Sequence, residues 1–270
     1  MTIRCLFCDG TGPFSTVEHV IPESLGNDDF LLRGEVCDQC QRYFGKEVEK
    51  YVLEKTPIAV WRALLGIQSK KGKLPSIDMS ISERRRGILP EYSRHHDNGV
   101  GFTAEEDGST SVHCDDATIE QKIVDQSRTQ LRFVLSPKHL VLMGRFLGKI
   151  AIEMYCVADT VRARLPRYDQ LRQYARQGLR RDIWPIFHRN VGSLRDLREY
   201  EADEDGVLEH SLCYQYCLAE GPSGYELFSL RVGTDQWVIC TNDPFPTPII
   251  RDAFPNGDLK LIWYAREEWT

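Results

Sequence analysis

The sequence predicts an α+β protein, with a small metal-stapled N-terminal module followed by a larger mixed α+β domain, and three observations carry that prediction. Two Cys-x-x-Cys steps, Cys5-Leu6-Phe7-Cys8 and Cys37-Asp38-Gln39-Cys40, lie in one short segment and read as a four-thiolate zinc site. Helical periodicity follows the second step and returns after Ser136-Pro137. Strand-like alternation dominates the C-terminal third.

The insert from Asp9 to Val36 is long for a bare zinc ribbon, and it carries the dipeptide Glu18-His19. Beyond it, Phe44, Val48, Tyr51 and Val52 recur at helical spacing with charges between them, which predicts a helix from Asp38 to about Lys55. Thr56-Pro57 ends that helix. The apolar stretch from Ile58 to Ile67 is expected to pack back on it, and the basic stretch from Gln68 to Lys73 reads as a solvated loop. The boundary therefore falls between a module of residues 1–67 and a mixed domain of residues 74–270.

From Leu74 to Leu135, short alternating stretches such as Ile77 to Ile81 and Thr110 to Cys114 predict strands. Ser136-Pro137 then opens a strong helix whose apolar face is Leu140, Met143, Phe146, Leu147, Ile150, Ala151 and Met154, the expected core helix of the second domain. A helix from about Tyr168 to Leu179 puts Leu171, Ala175 and Leu179 in one row and Arg172, Arg176 and Arg180 in the next. One row can be buried while the other faces out. Further strands are expected in Leu212 to Leu218, Tyr225 to Val232, Trp237 to Thr241 and Leu259 to Tyr264.

A hydrophobic content of 41% in 270 residues is ordinary for a folded soluble protein. No apolar run is long enough to span a bilayer and no secretory leader is evident, so a cytoplasmic protein without membrane contact is expected. In that reducing setting the clustered cysteines are better explained by metal than by disulfides. Cys114, Cys156, Cys213, Cys217 and Cys240 read as small buried hydrophobes; His210 with Cys213 and Cys217 only imitates a metal set.

The net charge of −6 argues against nucleic-acid binding by bulk charge, so any phosphate contact must come from a local patch. The richest is the tract from Arg162 to Arg181, in which Asp169 is the only acid. Its Arg172, Arg176, Arg180 row reads either as a solvated face with acidic neighbours or as a phosphate-contacting face. Arg84-Arg85-Arg86 and Lys70-Lys71 read as exposed loop, and His95-His96 lacks further ligands around it.

Four thiolates close zinc's tetrahedral shell, so such a site is structural. It also supplies what a segment of this size lacks, since metal binding contributes on the order of 10 kcal/mol of folding free energy in small zinc modules. The Glu18-His19 pair beside it suits phosphodiester hydrolysis: a carboxylate can hold a hard divalent ion against the phosphate while a neutral imidazole takes a proton from water. Neighbouring side chains on an extended strand point to opposite faces, so a local kink is required for both to address one phosphate.

Over roughly residues 5 to 50 the chain resembles the HNH endonucleases with the ββα-metal fold, in their zinc-stapled subgroup. Glu18-His19-Val20-Ile21-Pro22, Leu25-Gly26, both cysteine steps and Phe44-Gly45 follow the family pattern. The resemblance implies His19 as general base, Glu18 as ligand of a catalytic divalent ion, commonly Mg2+, and Cys5, Cys8, Cys37 and Cys40 as ligands of a structural Zn2+. It implies a nucleic-acid partner, DNA before RNA, leaves a homodimer open, and admits restriction of foreign DNA as a setting. One position departs from it. The family's Asn or His after the last cysteine is Gln41 here, whose amide oxygen sits on a longer stem.

Catalysis degrades quickly when groups move by about 1 Å. Gln41 therefore joins His19 and Glu18 in the candidate catalytic set, with a zinc-folded binding module that no longer cuts as the alternative. A thiol or redox protein would require a cysteine of the two steps to be free of metal. Asn27 is the nearest candidate for a residue that orients the base.

Overall fold

A computed structural model describes residues 3–64, 66–68, 72, 76–81, 98–104, 110–114, 121, 136–178, 184–190, 200–202, 208–210, 214–221, 224–244, 246 and 260–263. The fold is mixed helix and sheet, as expected: an N-terminal module with a cysteine cluster, followed by a larger region of helices and sheets. Leu179, Arg180, Lys70-Lys71, Arg84-Arg85-Arg86, His95-His96 and Cys213 lie outside the described residues.

The module begins with an antiparallel pair, β1 (Val17–His19) and β2 (Leu31–Arg33), with Glu18 opposite Leu32 and His19 opposite Leu31. A continuous helical rod follows: α1 (Asp38–Phe44), a π-helical turn (Gly45–Glu49) and α2 (Lys50–Lys55). In an α-helix, residues four apart drift around the axis; the wider π turn offsets that drift. Phe44, Val48 and Val52 accordingly all reach zero exposure on one side of the rod. Thr56 closes it, its hydroxyl donating to the Val52 carbonyl at 2.7 Å and accepting from the Ile58 amide at 3.3 Å. One side chain thus ends α2 and starts α3 (Pro57–Leu64).

A three-stranded antiparallel sheet comes next, β3 (Ser76–Ile81), β4 (Asn98–Ala104) and β5 (Thr110–Cys114), in that order. The long helix α4 (Pro137–Ala158) is started by a capping box. Ser136 Oγ accepts from the His139 amide at 3.3 Å, and the His139 ring accepts from the Ser136 amide at 2.8 Å. Asp159 then caps α5 (Thr160–Ala163), accepting from the Val161 and Arg162 amides at 2.8 and 3.2 Å. A short 3-10 turn leads into α6 (Asp169–Gln177).

The rest is mostly one antiparallel sheet. Its strands are β6 (Ile186–Asn190), β9 (Tyr214–Glu220), β10 (Glu226–Val232), β11 (Asp235–Cys240) and β12 (Lys260–Trp263), in the order β12-β6-β11-β10-β9. A separate hairpin joins β7 (Tyr200–Ala202) and β8 (Leu208–His210). The β10–β11 turn holds Gly233 at φ 60° under Trp61 of α3, whose Nε1 donates to Asp235 Oδ2 at 2.6 Å. A Cβ on Gly233 would meet that indole at 2.0 Å, so both conformation and space demand glycine there.

Burial around α4 differs from the sequence expectation of a single apolar face: every residue from Leu142 to Cys156 is buried. The reason is its central position. One contiguous core holds Phe44 and Val48 of the rod, Phe146 and Ile150 of α4, Leu171 of α6, and Phe228, Leu230 and Ile239 of the sheet. Burying each such side chain is worth about 1.5–3 kcal/mol. α4 and α6 approach closely at Gly148, where a Cβ would lie 2.8 Å from Leu171 Cδ1. Among the remaining cysteines, Cys156 and Cys240 are buried as expected, while Cys217 is exposed on the sheet-edge strand β9. Among the described residues, no helix is long and apolar enough to cross a membrane.

Candidate active site and metal centre

The two cysteine steps converge. Cys5, Cys8, Cys37 and Cys40 place their sulfurs within 4.8 Å of one another. Among the described residues this is the only such grouping of three or more His, Cys, Asp or Glu side chains. Tetrahedral zinc with Zn–S distances of about 2.3 Å requires sulfurs about 3.8 Å apart; Cys8 Sγ and Cys37 Sγ stand at 3.7 Å. The Cys37 amide donates to Cys5 Sγ at 3.3 Å.

Without a cation the sulfurs divide their protons: the hydrogen bond from Cys40, more than any other contact, draws the Cys5 thiol down to about 4, while the same pairing pushes Cys40 far up and burial raises Cys8. Four thiolates this close require a cation to coexist, so the donor set fits a potential metal site consistent with zinc. Arg176 of α6 adds positive charge from outside, its Nε donating to Cys40 Sγ at 3.3 Å and its guanidinium lying 3.7 Å from the Tyr43 ring centroid.

Glu18 and His19 sit where β1 ends. Both line one cavity of 370 Å³ together with Gln41, Glu49 and Lys50. The expected kink is absent: Glu18 and His19 stay in register with Leu32 and Leu31, and burial alternates along β1, with Glu18 buried and His19 part-exposed. His19 Nδ1 lies 3.4 Å from the Asn27 carbonyl oxygen, and Nε2 faces Glu23 Oε2 at 3.8 Å. A proton on Nδ1 directed at that carbonyl leaves Nε2 as the basic nitrogen on the Glu23 side.

Asn27, 1% exposed, contributes to His19 through its backbone; its side chain braces the loop. Nδ2 donates to the Ile21 and Phe30 carbonyls at 2.6 and 3.3 Å, while Oδ1 accepts from the Phe30 amide at 2.9 Å and from Tyr214 of β9 at 3.3 Å. Asn27→Ala strands those backbone groups in a buried site. Urea denaturation should show a loss of about 2–4 kcal/mol.

Gln41 lies at the cleft but is heavily engaged. Its Oε1 accepts from Thr16 Oγ1 at 2.7 Å, and its Nε2 donates to the Val36 and Thr16 carbonyls at 2.9 and 3.2 Å. Asp38 anchors the same approach segment, accepting from the Ser15 and Thr16 amides at 2.8 and 3.1 Å. The Ser15 hydroxyl contact is foremost in drawing its carboxyl down to about 2.

Residues 5–56 match the HNH endonuclease family. No curated protein and no solved structure matches the chain. The match supports a nuclease-type function, and the observed strand, strand, helix order is that of the HNH module inferred from the cysteine steps and Glu18-His19. Outside the matched segment, Arg172 does not stand free: it donates to the Ala163 carbonyl and pairs with Asp169. Arg176 is spent on Cys40 and Tyr43.

The sequence reading missed Lys149. This fully buried α4 residue reaches into the HNH module, with Nζ 2.6 Å from Glu18 Oε1, 2.9 Å from Glu49 Oε1 and 3.0 Å from Glu153 Oε2. Burial alone would pull its pKa down, but Glu153, Glu18 and Glu49 outweigh that and hold it well above its ordinary value. Glu18 is raised, chiefly by burial, which Lys149 only partly offsets. The available signal was a stripe of charge at four-residue spacing, Arg145, Lys149 and Glu153, inside an otherwise apolar helix.

Proposed function

We propose that this protein is a metal-dependent endonuclease that hydrolyses nucleic-acid phosphodiester bonds, with DNA as the expected substrate. The observation that carries this reading is that Glu18 and His19 open onto one cleft beside the four-cysteine site, inside the segment that matches the HNH endonucleases.

In this reading residues 1–67 carry the chemistry, and residues 74–270 form a second domain whose α4 buttresses them. His19 takes the proton from the attacking water at Nε2. Glu23, at 3.8 Å, stabilises the imidazolium that results. The Asn27 carbonyl keeps the opposite nitrogen protonated. Glu18 and Gln41 offer the cleft a carboxylate and an amide oxygen, hard donors of the kind a divalent ion such as Mg2+ accepts. That ion would neutralise charge building on the phosphate and the leaving oxygen. The four cysteines hold a structural zinc, which suits a cytoplasmic setting where thiols stay reduced.

A second reading has one observation in its favour. Gln41 donates two hydrogen bonds to the Thr16 and Val36 carbonyls and its Oε1 accepts a third from the Thr16 hydroxyl, so the amide oxygen is already engaged, as expected of a module that binds nucleic acid without cutting it. Incubating supercoiled plasmid with zinc-loaded protein in Mg2+, Mn2+ and Ni2+ separates the two. Nicking or linearisation supports the enzyme; intact plasmid with all three ions, together with a measurable DNA complex, supports the binder.

A further inference from the structure

The Lys149 ammonium is surrounded by more acceptors than it has protons. It donates to the His19 carbonyl at 2.9 Å, to the Val20 carbonyl at 3.2 Å and to Glu18 Oε1 at 2.6 Å. Glu49 Oε1 at 2.9 Å and Glu153 Oε2 at 3.0 Å crowd the same ammonium, so five oxygens compete for three protons. Isolated burial of an ammonium is strongly unfavourable, so a lysine with zero exposure persists only where its partners are fixed around it. The partners here are the carboxylate of Glu18 and the backbone oxygens of the two residues that follow it.

We infer that Lys149 is a positioning residue for the candidate nuclease site, a resident cation that fixes the backbone at His19 and Val20 and the carboxylate of Glu18 so that both side chains face the cleft. This deepens the nuclease reading and rests on it. β1 and β2 are three residues each, too short to hold a catalytic dipeptide to within the tolerance chemistry requires. The clamp comes from α4, 129 to 130 residues further along the chain and outside the segment that matches the family. Residues 5–56 are on this inference an incomplete site, and the region after them is part of the catalytic unit.

The test uses the full-length zinc-loaded protein, with Lys149→Met and the double variant Lys149→Met/Glu153→Met. The single change leaves buried carboxylates without their cation and is expected to lower the melting temperature. The double change removes the fully buried acid with it and replaces both by apolar side chains of similar length, so the melting temperature should recover in part, Glu18 and Glu49 remaining without their cation.

A purely structural lysine predicts that the cleavage rate recovers with stability. Positioning predicts that it does not. Single-turnover nicking of bound plasmid should stay at least tenfold slow in the folded double variant, DNA affinity should be unchanged, and the His19 side-chain signals in 15N–1H spectra should be displaced. Wild-type nicking with undisplaced His19 signals in that variant would overturn the inference.

If wild-type protein cuts nothing, the nuclease reading fails, and the His19 signals still decide whether Lys149 positions that residue. A measurement on wild-type protein covers variants that do not fold. A protected Lys149 ammonium signal with cross-relaxation to the Val20 amide region is expected, and an ammonium in fast exchange with water overturns the clamp.

Discussion

Cys40→Ser is expected to abolish both zinc binding and the folding of residues 3–64. A structural zinc site contributes about 10–16 kcal/mol of binding free energy to folding in small modules. Whole domains are stable by only about 5–15 kcal/mol. The module has little else to fall back on: its two strands are three residues each, and Cys5, Cys37 and Cys40 are themselves core residues with exposures of 0, 3 and 0%. Serine cannot replace a thiolate ligand, and it leaves three clustered sulfurs, those of Cys5 and Cys37 buried, without the cation that lets them coexist.

Because Phe44 and Val48 share a core with Phe146 and Ile150, the loss should spread into α4. Zinc content measured after gel filtration should fall from one per chain toward zero, and the thermal transition should broaden and drop by more than about 15 °C. A Cys40→Ser protein that melts like wild type without metal would show that the four sulfurs are only neighbours.

The parts of this architecture legible in the sequence are those set by local chemistry. Cysteine spacing announced the four-cysteine cluster, a potential metal site, because coordination geometry admits few alternatives. The rod from Asp38 to Lys55 and helix α4 showed in periodicity, since each is long enough to repeat. Strands β1 and β2 are too short to show any period, and β6, Ile-Phe-His-Arg-Asn, alternates poorly.

The larger gap lies in contacts between distant residues. Arg176 reads as one of an exposed arginine row, yet its Nε meets Cys40, 136 positions earlier. Lys149 carries no role in the sequence pattern, yet its Nζ lies 2.6 Å from Glu18 Oε1. Local pattern fixes which face a residue occupies; which element covers that face is set by packing of the whole chain. The candidate site is therefore half legible: the Glu18-His19 dipeptide shows in the sequence, and the groups that pack against it do not.

His19→Ala should remove cleavage while leaving the fold intact, and the two halves of that statement rest on different observations. The side chain is 26% exposed, makes one long contact of 3.4 Å to the Asn27 carbonyl, and faces Glu23 at 3.8 Å. Ion pairs of that exposure are worth about 0–1 kcal/mol, so stability should move by less than about 1 kcal/mol and the zinc content should not move at all. Loss of a general base, by contrast, costs about 10²–10⁴-fold in rate, equivalent to about 3–5 kcal/mol in the barrier.

Gln41→Asn provides the opposing case. It shortens a side chain now tied to Thr16 and Val36, and it restores the amide length that the family resemblance implies, so cleavage should be kept or raised. Single-turnover nicking of supercoiled plasmid over a series of Mg2+ concentrations checks both variants in one assay. An alanine variant that nicks within threefold of wild type would remove His19 from the chemistry, and would leave the Glu18-His19 strand as scaffold for a binding surface.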